Sequence, residues 1–302
     1  MLADSLARIW HVTIGELLMA LRTRRAAVVL ALYLVSSVFC MIGTINLFSS
    51  LEKEVAGLLQ IPVSEQTGSV SNALWKSPAF NRIVKSAVSD PSIFENISKR
   101  HPIELAYAWF AFLCAPLLAV LSAGGRISEE MSSRSARFAL LRVERVEWSL
   151  GKFFGQCMLN ATALAASAIA AWAVSAIMLK GCDLASLFVA MCEWGVKVWI
   201  YSFAWLGLAS GISHMTNSGS RAVCMGIVAT AVFFALPPLL GLFAHLAEFP
   251  ALENLDMLLP TAAKGTLWRG GAVSLCAAIV HFGALGTLYL SLGHLFLARR
   301  DI

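Results

Sequence analysis

Charges set within apolar sequence are the first residues that call for a chemical role. Glu193 and Lys197 stand four apart, Glu first, within the apolar run 190–212. That spacing places them on one helical face as an ion pair. An isolated charge at mid-bilayer costs about 2.5–3.5 kcal/mol on insertion scales, so such charges pair or face a polar cavity. Two readings stay open. The pair lines a polar path for a substrate, or residues 184–192 lie on the outer surface and both charges are shallow and structural.

Other chemistry is sparse. Metal-binding histidine pairs on one helix stand at i,i+3 or i,i+4. His281 and His294 are 13 apart, and His214 and His245 sit near helix ends, so no metal site is expected. The 7 cysteines form no CxxC pair and read as small buried hydrophobes. No GxxxxGK[ST] phosphate loop occurs, because the sole Gly-Lys, Gly151-Lys152, is followed by Phe153. Any ATP this protein uses therefore sits on another chain. Glu129-Glu130-Met131-Ser132-Ser133-Arg134 matches EExxxR, a signature of intramembrane prenyl-protein proteases. Those enzymes also need FxxxH and HxxxN/D. None of the 6 histidines has Phe four before it or Asn/Asp four after it. An intramembrane protease is the weakest of the alternatives.

The remaining stretch with functional character is 126–152, "RISEEMSSRSARFALLRVERVEWSLGK", which joins two apolar blocks. Phe138, Leu140 and Leu141 with Arg137, Arg142 and Arg145 suit a short helix, apolar on one side and basic on the other. Such a helix can dock in a groove of a soluble partner with an acidic rim. It can equally be a connector held at anionic headgroups by its arginines.

These residues must be positioned by membrane helices. The chain is 58% hydrophobic and 14% charged over 302 residues, far from the composition of soluble domains. A bilayer core of about 30 Å needs roughly 20 apolar residues in a helix. Six segments qualify: 26–48, 103–125, 153–178, 190–212, 222–245 and 273–297. No alternating pattern suggests a membrane barrel. The fold expected is an all-α integral membrane protein, one transmembrane domain over 1–302. A net charge of +5 is too modest for a nucleic-acid binder. Arg8, Arg22, Arg24, Arg25, the basic residues of 126–152, Arg221, Arg299 and Arg300 all fall on one side. The positive-inside rule makes that side, with both termini, cytoplasmic.

Smaller features follow. Leu6, Ile9, Trp10, Ile14, Leu17, Leu18 and Leu21 make 1–23 an amphipathic helix. It lies in the membrane interface, against lipid, or packs on the cytoplasmic loop. Residues 49–102 form a polar outer loop whose turn formers include "SDPS". Residues 246–272 form a second outer segment with a short interfacial helix near Leu252–Leu259. Pro237-Pro238 should kink or break the fifth span. The small residues of "NATALAASAIAAWAVSA" and Gly283, Gly286 and Gly293 signal close helix packing.

The loop also carries a resemblance. An amphipathic N-terminal helix, six spans and a loop of the form E…R(F/Y)xxLRxxR…GK resemble a type-2 ABC exporter permease. The matching positions are Glu130, Arg137, Phe138, Leu141, Arg142, Arg145, Gly151 and Lys152, with the "ARRDI" tail, Ala298 to Ile302. Ser135-Ala136 and Val143 depart from the Gly-Thr and Pro or Thr of many relatives. The resemblance implies two six-helix permeases, identical or homologous, in the cell inner membrane. It implies two copies of a cytosolic ABC ATPase that hold ATP and Mg, and no catalytic residue on this chain. The loop would be the coupling helix, anchored by Phe138 and Leu141 and rimmed by Arg137, Arg142 and Arg145, with Glu130 capping or orienting it. Some relatives pass movement to an outer partner instead of a molecule, and 49–102 would then be the docking surface. The alternative is a stand-alone carrier or scaffold.

Overall fold

A computed structural model describes residues 2–59, 85, 90–179, 183–246 and 255–299. The described chain is all-α: α1 Leu2–Arg22, α2 Arg24–Leu59, α3 Pro91–Ser98, α4 Pro102–Ala123, α5 Arg126–Ser132 and α6 Ala136–Leu140 come first. Then follow α7 Arg145–Met178, α8 Leu184–Met215, α9 Gly219–Leu246, α10 Lys264–Trp268 and α11 Ala272–Ala298. Six helices, α2, α4, α7, α8, α9 and α11, are long and apolar enough to cross a membrane. This is the architecture of a multi-pass membrane protein, in which helices keep the spanning backbone paired away from water.

Several helices outrun their apolar cores. α2 continues past 48 to Leu59 because "SSLEKEV" contains helix formers and no proline. The charges at 52–54 limit the hydrophobic stretch without ending the helix, so 49–59 is not loop. Residues 145–152, read as part of the connecting stretch, are the first turns of α7. That helix has 34 residues, about 51 Å at 1.5 Å per residue.

"SDPS" proves to be a helix start. Asp90 is the N-cap of α3, its Oδ1 accepting from Ser92 N at 2.9 Å, with Pro91 in the first turn. Residues 60–84 and 86–89 lie outside the described residues, as do 252–254 of the proposed helix near Leu252–Leu259. Of that segment, 255–258 forms a 3₁₀ turn.

Pro237-Pro238 does not break α9, which is helical from Gly219 to Leu246. Pro237 has no N–H for the Phe233 carbonyl four residues back. The Thr261 hydroxyl donates to that carbonyl instead, at a long 3.5 Å. Satisfaction of a freed carbonyl by a threonine is how proline is tolerated in spanning helices.

The core centres on α4 and α8. Phe112, Trp194, Tyr201 and Trp268 pack as tilted rings, with centroid distances of 4.8 Å (Trp194–Trp268) and 5.3 Å (Phe112–Tyr201). α8 and α11 approach through glycine. A Cβ on Gly207 would lie 2.2 Å from the Gly286 carbonyl oxygen, and one on Gly293 2.4 Å from Gly211 Cα. Gly286 and Gly293 thus serve as packing residues, while Gly283 faces open space.

The helices alternate, so the bundle has two distinct ends. One, the basic end, gathers α1, the start of α2, α5, α6, the start of α7 and the ends of α8 and α11. It is marked by Arg25–Glu129, Ser128–Ser213 and Arg145–Leu297 contacts. The opposite end holds α3, α10 and the starts of α4, α8 and α11, tied by Arg100–Glu193 and Asp90–Arg269.

Candidate functional site

At the basic end, α1 lies along the start of α7 with its polar face inward. Thr13, Glu16 and Ala20 are buried, while Leu6, Trp10, Ile14, Leu18 and Leu21 are exposed. Most of the apolar stripe read from the sequence therefore faces away from the protein, as in a helix that meets lipid, while Ile9 and Leu17 are half-buried. Close approach is again made by glycine. A Cβ on Gly151 would lie 2.5 Å from Val12 Cβ, and one on Gly155 2.7 Å from Glu16 Cβ.

A buried ionic network fills this crossing. Lys152 of α7 is paired with Glu16 of α1 and with Glu130 of α5. Gln156 Nε2 donates to Glu16 Oε1 at 2.7 Å, and Arg126 Nε lies 3.6 Å from the same oxygen. The Lys152 ammonium also sits 5.8 Å from the Trp148 ring centroid. Outside it, Arg8 makes a bidentate pair with Glu147 at 2.8 and 2.7 Å, and Arg25 pairs with Glu129. Such a network is expensive to disrupt, since removing one partner leaves a buried charge. His214 joins α8 to α7: its Nδ1 meets the Ser210 carbonyl at 2.7 Å and its Nε2 the Ser149 hydroxyl at 3.0 Å. The carbonyl can only accept, so Nδ1 carries a proton.

On this base stands α6. The turn before it holds Arg134 in the left-handed region, φ 58°, unusual for a residue with a Cβ. The Glu130 carbonyl accepts from the Ser133 and Ser135 hydroxyls at 3.2 and 3.3 Å. Glu130 thereby ties both the turn, through its backbone, and α7, through its carboxylate. Ala136, with Ile127, Trp148 and Leu297, forms a small core under α6, joined by Ala139, Leu140 and Val143. The other face is bare: Phe138 is 75% exposed and Leu141 82%, flanked by exposed Arg137 and Arg142. Arg145 is engaged elsewhere, its Nη1 donating to the Leu297 and Ala298 carbonyls at 3.2 and 3.0 Å. It satisfies the orphan carbonyls at the end of α11.

The opposite end holds Glu193 and Lys197, paired at 2.7 Å as their spacing predicts. The structure adds Arg100, whose Nη2 reaches Glu193 at 2.8 Å and whose Nη1 lies 3.7 Å from Glu104. The Lys197 ammonium lies 4.4 Å from the Trp194 ring centroid, a cation–π distance. Lys197 and Glu193, with Arg269 and Leu275, line a cavity of about 360 Å³. Sequence reasoning missed Arg100, Trp194 and Arg269. Arg100 stands 93 residues before Glu193, and no local pattern links them.

Both glutamates of the EExxxR match are taken up by ion pairs, Glu129 with Arg25 and Glu130 with Lys152. Among the described residues no three His, Cys, Asp or Glu side chains converge as metal ligands. Neither a protein-family model nor a curated protein matches this sequence.

Proposed function

We propose that this chain is the membrane-spanning permease subunit of an ABC transporter. A separate cytosolic ATPase subunit holds the ATP and Mg, and two permease copies, identical or homologous, complete the assembly. The observation that carries the reading is the exposure of Phe138 and Leu141 on a short helix bolted to the bundle. A solvated connector has no use for two large bare side chains, and burying each in a partner is worth about 1.5–3 kcal/mol. Arg137 and Arg142 beside them favour an acidic rim on that partner.

The basic end is then cytoplasmic, in accord with the placement of its arginines. Closure of the ATPase dimer on ATP displaces α6. The displacement passes through Glu130 and Lys152 to α7 and α1 as one body. ATP shifts the spans only as far as it favours one of their states over the other. Glu193 and Lys197 lie at the far end of α8.

The test is affinity purification of the full chain from its native membranes, assaying ATP hydrolysis and the bound ATPase subunit. Phe138→Asp and Arg142→Glu should each release the ATPase while the permease still elutes as a folded species. Retention of ATPase binding and hydrolysis in both variants would sink the reading.

A further inference from the structure

The cavity at the opposite end and a neighbouring groove point to a ligand that the coupling reading does not require. Glu193 of α8 and Ala272 and Leu275 of α11 lie at one edge of the apolar runs 190–212 and 273–297, and so near the border of the hydrocarbon core. The cavity of about 360 Å³ lies between them.

Its charged wall carries one carboxylate, Glu193, and two cations, Lys197 and Arg269. Lys197 is nearly enclosed, 8% exposed, and its ammonium is held by Glu193. The charges left accessible are one carboxylate and one guanidinium: Glu193 is 39% and Arg269 45% exposed. Arg269 gives Nε and Nη2 to Asp90 Oδ2, at 2.8 and 2.7 Å, which leaves other N–H groups of its fork for a second acceptor. A net anion would meet Glu193 unfavourably, and a net cation would meet Arg269 unfavourably. A zwitterion satisfies both.

Beside the cavity, between α7 and α8, runs a groove of about 330 Å³ lined by Ala165, Ala168, Ile169, Phe188 and Trp199. Val196, half-exposed on α8, lines both spaces. The groove is apolar. Too small for a helix about 10 Å across, it suits an acyl chain.

We propose that this end of the protein holds one zwitterionic phospholipid. Its ammonium meets Glu193, its phosphate meets Arg269, and one acyl chain lies along the α7–α8 groove past Val196. The proposal stands whether or not α6 engages an ATPase.

The test uses delipidated full-length protein in a maltoside detergent and reads the shift in thermal midpoint. Four probes are titrated: dihexanoyl-phosphatidylethanolamine, dihexanoyl-phosphatidylglycerol, glycerophosphoethanolamine and inorganic phosphate. The phosphatidylethanolamine should raise the midpoint at a concentration at least tenfold lower than the phosphatidylglycerol. The tail-less headgroup and inorganic phosphate should give no shift at that concentration. Arg269→Gln and Val196→Trp should each weaken the response tenfold or more. Equal responses to the two lipids would reduce the effect to unspecific solvation and overturn the proposal. A full response to inorganic phosphate or the tail-less headgroup would overturn it in favour of a soluble phosphate ligand. Should Arg269→Gln fail to fold, Val196→Trp carries the test, because its half-exposed position tolerates change. A folded Val196→Trp that responds like the parent also overturns the proposal.

Discussion

Both ends of the bundle take charged side chains out of water, and they do so to different effect. At the basic end, Lys152 and Glu16 are almost wholly enclosed between α1 and α7, with Glu130 closing the network from α5. The surface above it carries the exposed Phe138 and Leu141, flanked by Arg137 and Arg142. At the opposite end the charges outnumber their seals. Glu193 is shared by Arg100 and Lys197 and still reaches a cavity. A sealed network acts as a joint, whereas an open one offers a surface of charge. That contrast separates a place that transmits position from a place that can hold something.

The contrast breaks first on lysine. Lys152→Met leaves the buried Glu16 and the half-buried Glu130 without their ammonium, and should destabilise the protein by about 3–5 kcal/mol. The double change with Glu16→Leu should recover much of that loss, because the more deeply buried of the two carboxylates goes with it. Unfolding in detergent, followed by circular dichroism, measures both. Lys197→Met should cost less, about 1–2 kcal/mol, since Glu193 keeps Arg100 and partial access to water. Equal losses at the two lysines would mean that the two ends are not different in kind.

Much of this architecture could be read along the chain, because its signals are local. Apolar runs of about 20 residues mark the spans, and the i,i+4 spacing of Glu193 and Lys197 predicts their pair. The stripe of Leu6, Trp10, Ile14, Leu18 and Leu21 is visible, and so is the unusual pairing of Phe138 with arginines. What could not be read is which face turns inward. The partner of Glu16 stands 136 residues away, and that of Glu193 on α3's flank 93. The apolar face of α1 would ordinarily be taken as the packed one, yet its polar face seats on α7. "SDPS" carries the same residues whether it ends a loop or starts a helix, and only the continuation decides. Pro237-Pro238 signals a break from sequence alone, yet α9 continues, and the Thr261 hydroxyl 28 residues along the chain meets one freed carbonyl.

The exposed side chains give a smaller effect of opposite kind. Leu141→Ser should change the stability of the isolated permease by no more than about 0.5 kcal/mol, because the side chain buries nothing in this chain. If Leu141 is a partner anchor, the same change should weaken ATPase binding by about 2 kcal/mol. Thermal unfolding of the permease and titration of the ATPase subunit separate the two numbers. A clear loss of permease stability would place Leu141 in a contact within this protein or between its copies.

The smallest effect concerns the tie that closes the opposite end. The Ser92 hydroxyl, then the Arg269 guanidinium, hold the Asp90 carboxyl down from the ordinary 3.8 to about 2. A carboxyl held low in the folded state favours folding only while it is ionised. The contribution is therefore complete above about pH 3.8, and it fades as the pH falls through about 2. Asp90 caps α3 and anchors Arg269 beside α10, so protonation should loosen α3 locally and leave the bundle closed. Hydrogen exchange of the α3 amides should rise between pH 4 and pH 2, relative to amides of α8, beyond the ordinary pH dependence of exchange. Asp90→Asn should show that faster exchange already at neutral pH, with the α3-to-α8 ratio no longer changing across the window. A ratio in the parent that stays flat from pH 4 to pH 2 would mean that the Asp90–Arg269 tie contributes nothing to holding that end shut.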